Sequence, residues 1–152
     1  MDLAKDFREF CSLLNENKID YLIVGGYAVA FHGAPRATGD NDILARPEHE
    51  HVGRLLSAIE RFGFPVVSVT PEYLLTYSRI LQLGRIPVQI HIMTSITGVE
   101  WKVAGGSRQQ GVYGDVPVYY IGLSALIANK AAAACPKDIA DIRALQQKET
   151  LR

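Results

Sequence analysis

Apolar residues recur at helical spacing at the start of the chain. Leu3, Phe7, Phe10 and Leu14 fall on one face and predict an amphipathic helix over residues 2–18. The period then changes. Tyr21-Leu22-Ile23-Val24 is a continuous apolar run ending at Gly25-Gly26, which suits a buried strand, and Tyr27 to His32 reads as a short helix stopped by Gly33 and Pro35. Asp40 to Ala45 predicts a second strand. Residues 48–62 predict a helix with Val52, Leu55, Leu56 and Ile59 on one face and Gly63 as its C′ residue. Pro65 to Val69 reads as a strand and Pro71 to Tyr77 as a helical turn. Ile80 to Leu83 and Ile86 to Met93 read as the arms of a β-hairpin turning at Gly84-Arg85. A short helix over residues 98–104, a loop at 105–108 and a strand from Val116 to Ile121 follow. Leu123 to Cys135 is an alanine-rich helix interrupted at Pro136, and Ile139, Ile142 and Leu145 mark a last helical face.

This order predicts a mixed β-sheet flanked by helices, of α/β or α+β class, closing in C-terminal helices. The 152 residues suit a single domain, 1–152, with a core at about 20–122 and helices at about 123–147. Apolar residues make up 48% and charged residues 21%, enough for a sizeable core. Sixteen basic and sixteen acidic residues leave no formal net charge, which argues against a non-specific nucleic-acid coat and against a stable DNA complex. Cys11 and Cys135 belong to no CxxC pair, so a zinc knuckle is not expected. Both fall in apolar helical patterns and read as buried thiols in a reducing, cytoplasmic protein. The N-terminus lacks a signal-peptide h-region, and no apolar run approaches the roughly 18 residues of a membrane span.

Chemistry gathers between residues 24 and 44. Gly25-Gly26 follows a strand and opens a helix, where first-turn N–H groups favour phosphate and glycine permits close approach. The alternative is a plain tight turn. Asp40 and Asp42, at i and i+2 on a strand, share a face with Cα atoms roughly 6.5–7 Å apart. Their oxygens would converge on one hard cation such as Mg²⁺, which is bound by one or two carboxylates with phosphate and water. The alternative is an acidic turn before a strand. Arg36 would pair bidentately with phosphate, and Thr38 adds a donor nearby. His49 and His51 begin a helix and read as a solvated face. Lys130, among alanines, reads as a lysine snorkelling to solvent, and Asp138 as an N-terminal capping residue.

These residues resemble the minimal nucleotidyltransferases of the DNA polymerase β-like superfamily. The matching blocks are Val24-Gly25-Gly26, Arg36 to Leu44, Pro87 to Gly98, and the tail from Lys130 to Ile142, so the resemblance spans roughly residues 20–145. It implies that Gly25 and Gly26, with Arg36, Thr38 and Lys130, contact a nucleoside triphosphate. Asp40 and Asp42 would hold Mg²⁺ or Mn²⁺. The implied reaction transfers a nucleoside monophosphate to a hydroxyl on a tRNA end, a protein side chain or a small molecule. Toxin-like members of the superfamily imply an antitoxin-like partner. The family's third carboxylate falls at His91, and the serine that often follows its Gly-Gly is Tyr27. Histidine is a poor Mg²⁺ ligand but a reasonable general base near neutral pH, and it would also ligate Mn²⁺ or Zn²⁺. Two outcomes stay open: an enzyme with a histidine in its catalytic set, or a catalytically impaired relative that binds nucleotide or a partner. Gln89, two residues before His91, is placed to contact a ligand neutrally.

Overall fold

The computed structural model describes residues 3–34, 40–66, 68–85 and 88–150. In chain order these form α1 (Leu3–Glu16), β1 (Tyr21–Val24), α2 (Gly25–Phe31), β2 (Asp40–Ala45), α3 (His49–Phe62), α4 (Pro71–Leu75), β3 (Leu81–Arg85), β4 (Val88–Met93), α5 (Trp101–Gly106), β5 (Gln109–Tyr113), β6 (Val116–Tyr120), α6 (Leu123–Ala133) and α7 (Pro136–Thr150). The strands make one mixed sheet in the order β3-β4-β2-β1-β6-β5. β2 runs antiparallel to β1 and parallel to β4. The mixed sheet flanked by helices, with two helices at the C-terminus, agrees with the expected class.

β1 lies at the centre of the sheet with every residue buried, which is why its sequence is apolar without alternation. Strand register then divides the sheet into two faces. Tyr21, Ile23, Ile43 and Ala45 pair across β1 and β2 on one face, which α1 covers; Phe7, Phe10 and Leu14 are completely buried there, and Asn15 bonds the Tyr21 hydroxyl at 3.1 Å. Burial in this layer pushes the Cys11 thiol up to about 12 despite a hydrogen bond with Tyr21. The opposite face carries Val24, Asp42 and Met93 and looks toward α6 and α7. Among the described residues, no helix is long and apolar enough to cross a membrane.

Several boundaries differ from the sequence expectation. The described residues of 65–69 form a turn instead of a strand, closed by the Val69 N–H donating to the Val66 carbonyl at 2.9 Å; Pro65 has no N–H for a ladder. β5 was not anticipated. It is an edge strand whose side chains are mostly exposed, so it lacks the apolar alternation that would mark it. The loop expected at 105–108 begins as the end of α5. Gly84 and Arg85, expected as the hairpin turn, lie inside β3, paired with Gln89 and Val88. Cys135 is exposed rather than buried because α6 ends at Ala133.

Candidate functional site

β1 delivers Val24 to the edge of a cavity of about 390 Å³, and the chain turns there into α2. Gly25 takes φ +69°, a conformation costly for any residue with a Cβ. A Cβ at this position would also overlap the Asp42 carboxylate. The glycine is therefore required twice, once by the backbone and once by the carboxylate seated against it. Gly26 is buried in the first turn of α2, and Gly25, Gly26 and Asp42 all line the cavity.

β2 is held between β1 and β4, with Asp42 opposite Val24 on one side and His91 on the other. The His91 Nδ1 lies 3.2 Å from the Asp42 Oδ1. Its Nε2 lies 3.3 Å from the Gln89 Oε1. His91 and Asp42 are both partly exposed, at 21% and 26% of their side-chain surface. His91 is not among the residues lining the cavity; it stands beside Asp42 on the neighbouring strand. Asp40 opens β2 and pairs in register with Gln89, so the expected i, i+2 placement on one strand holds for the backbone. Its side chain, and the whole of Arg36 and Thr38, lie outside the described residues. Among the described residues, no three His, Cys, Asp or Glu side chains are grouped to hold a metal.

Lys130 lines the cavity as well, but not as a snorkelling lysine. It is 6% exposed and pairs with Asp138 Oδ1 at 3.1 Å and Asp141 Oδ2 at 3.0 Å. A buried ammonium is tolerable only with such partners. Asp138 has a further task. It is the third residue of α7, and its other oxygen accepts from the Cys135 N–H at 3.4 Å and from the Cys135 thiol at 2.7 Å. This is the reach-back of an N-terminal cap, as the sequence suggested. Burial pushes the Asp138 carboxyl up, but the Cys135 hydrogen bonds and the Lys130 ammonium outweigh it and hold the group below its ordinary value.

The cavity thus brings Gly25, Gly26, Asp42 and Lys130 together. It adds residues that the sequence did not single out, notably Tyr77, Arg79, Ser95, Asn129 and Lys137. Ser95 lies inside the block that resembles the family; Tyr77 and Arg79 fall in a short loop with no motif to mark them.

No protein-family model matches the chain, and no curated protein does. Solved structures do. The antibiotic-resistance factor ANT(2″)-Ia superposes with a TM-score of 0.63 at 16% identity, over 95% of this chain and 83% of that one. The lincosamide antibiotic adenylyltransferase LnuA, bound to lincomycin, gives 0.62 at 15% identity over 93% and 95%. An antigenic nucleotidyltransferase-like protein from Paracoccidioides brasiliensis gives 0.57 at 15% identity over 94% and 74%. The chain has the nucleotidyltransferase fold. Within that fold, the Gly25–Gly26 turn and Asp42 open on one cavity, and His91 stands beside Asp42 on the neighbouring strand.

Proposed function

We infer that the protein is a nucleotidyltransferase that binds a nucleoside triphosphate with Mg²⁺ or Mn²⁺ and transfers the nucleoside monophosphate to a hydroxyl group. The observation that carries this reading is the shared cavity of Gly25, Gly26 and Asp42 in a nucleotidyltransferase fold. The donor set suits a hard cation. Asp42 offers carboxylate oxygen at the cavity wall, Asp40 follows the same strand two residues earlier, and substrate phosphate and water would complete the shell. A cation held there would supply charge neutralisation on the phosphate and the leaving pyrophosphate.

The chain's own residues do the positioning. Gly25, lacking a Cβ, lets the Asp42 carboxylate and the phosphate occupy adjacent space. His91, with its Nδ1 3.2 Å from the Asp42 Oδ1, would fix the orientation of the carboxylate. The acceptor oxygen forms a bond to the α-phosphorus, the bond from that phosphorus to the β-bridging oxygen breaks, and pyrophosphate departs. The acceptor's proton passes to solvent. Two of the structural counterparts act on or bind small hydroxylated antibiotics, as adenylyl-2″-tobramycin and lincomycin. A small-molecule hydroxyl is therefore the acceptor class to try first, ahead of tRNA or protein.

A second reading is a nucleotide-binding or partner-binding protein without turnover. One observation favours it: the residue beside Asp42 on β4 is His91, an imidazole where a third carboxylate would contribute negative charge. The two readings separate when the protein is incubated with each α-labelled NTP, Mg²⁺ or Mn²⁺, and a panel of hydroxylated antibiotics beside bulk tRNA. Label transfer that disappears in Asp42→Ala supports the enzyme. Asp42-dependent NTP binding without transfer to any acceptor supports the second reading.

A further inference from the structure

Among the described residues the cavity holds three cationic side chains, Arg79, Lys130 and Lys137, and two of them are open to a ligand. Lys130 is fixed by two carboxylates, Asp138 and Asp141, and is nearly buried. Arg79 and Lys137 line the same cavity, are exposed, and make no ion pair among the described residues. We propose that Arg79 and Lys137 are the phosphate-binding cations of this cavity, and that Lys130 is a strut between α6 and α7. This rests on the phosphate–metal reading given above.

Lys137 sits where local structure disfavours it. Lys137 occupies the first turn of α7, whose positive end repels an ammonium. Arg79 follows Ser78, a non-glycine residue at φ +69° whose N–H is tied to the Ser95 Oγ at 3.3 Å. Strained backbone of this kind persists where the surroundings over-determine it, and it concentrates at ligand-binding sites. The Arg79 guanidinium stands over the Tyr73 ring, with its central carbon 5.7 Å from the ring centroid. The two cations approach from different elements, the α4–β3 loop and the start of α7, while Gly25 and Asp42 form another part of the wall. An extended polyanion seated against Gly25 and Asp42 would be held by charges from both elements. Apart from Asp42, the one lining carboxylate described is Asp138, which Lys130 already neutralises.

The test is calorimetric titration with Mg²⁺–tripolyphosphate and, separately, Mg²⁺–ATP. It uses wild type, Asp42→Ala, Arg79→Met, Lys137→Met and Lys130→Met, with the Tm of each unliganded protein. Arg79→Met and Lys137→Met are expected to keep the wild-type Tm and to weaken both probes by about tenfold each, since charge-assisted phosphate contacts are strong. Their binding should also depend less on salt. Lys130→Met is expected to lower the Tm. Unchanged affinity in Arg79→Met and Lys137→Met, with binding still lost in Asp42→Ala, would overturn this assignment and leave the phosphate–metal reading standing. Weakening on ATP alone would place the two cations on the nucleoside and also overturn it. A native-like Lys130→Met that loses both probes would move the role to Lys130. Absence of binding in wild type overturns both readings.

Discussion

Two histidines show how differently the two sides of this sheet are built. His51 is 4% exposed at the start of α3. Its Nε2 accepts from the Asp20 N–H at 2.8 Å, and its Nδ1–H donates to the Arg46 carbonyl at 3.1 Å. The two partners are of opposite kinds, so one neutral tautomer satisfies everything. His91 instead faces an oxygen on each side, Asp42 Oδ1 and Gln89 Oε1. In the neutral ring only one nitrogen donates, so one of the two oxygens faces a lone pair unless Gln89 turns its amide to present N–H. The first arrangement is closed and structural. The second has more than one hydrogen-bonding solution, and it lies beside the cavity.

The largest break in this comparison comes from truncating each ring. His51→Ala strands the Asp20 N–H and the Arg46 carbonyl and is expected to cost about 2–3 kcal/mol of stability. His91→Ala should cost less than about 1 kcal/mol while weakening Mg²⁺–NTP binding roughly tenfold through the loss of Asp42's orientation. Chemical denaturation and calorimetry read the two effects separately, and equal stability losses would erase the distinction. Next in size is Gly25→Ala. The positive φ alone is worth about 1–3 kcal/mol, and the displaced Asp42 carboxylate should carry nucleotide binding away with it.

A milder version uses pH. Burial lowers the His51 pKa below its ordinary value, against the opposing hydrogen bond to Arg46 and the Asp20 charge. The folded state thus prefers the neutral ring, and the unfolded chain binds the extra proton first. His51's contribution to stability is full above about pH 6.5 and is lost as pH falls through the depressed folded value. The Tm of wild type should fall on acidification through that window, and His51→Ala should fall less over the same range. The smallest expected effect has the opposite sign. Asn41, between the two aspartates, is completely buried, and neither its amide nitrogen nor its oxygen has a hydrogen-bond partner among the described residues. Asn41→Leu is therefore expected to stabilise by about 1 kcal/mol, read as a higher denaturation midpoint. A lower midpoint would mean that the amide is satisfied in solution.

What could be read from the sequence was whatever carried its own period or its own local chemistry. β1 announced itself as an apolar run, and α3 by its 3.6-residue stripe and Gly63, which takes the left-handed conformation at φ 113°. The Gly25–Gly26 turn and Asp42 were legible as a pair because the turn is adjacent to its strand and the strand returns beside it. What escaped depended on partners distant in the chain or on exposed edges. Lys130 reads as a snorkelling residue because its counter-ions lie beyond the Pro136 break, at Asp138 and Asp141. His51 reads as solvated because helix spacing says nothing of the Asp20 and Arg46 backbone that wraps it. Arg79 carries no motif, and Lys137 lies in the tail block without any sign of which cavity it enters; the folded cavity places them together.

The central claim is that Asp42, with the Gly25–Gly26 turn, forms a phosphate–metal site. The most direct measurement is the thermal stability of wild type and Asp42→Ala, each with every NTP in the presence and absence of Mg²⁺ and of Mn²⁺. A rise in Tm that requires both the nucleotide and the metal, and that vanishes in Asp42→Ala, is the predicted result. An unchanged Tm with every nucleotide–metal pair, or an equal rise in Asp42→Ala, would contradict it.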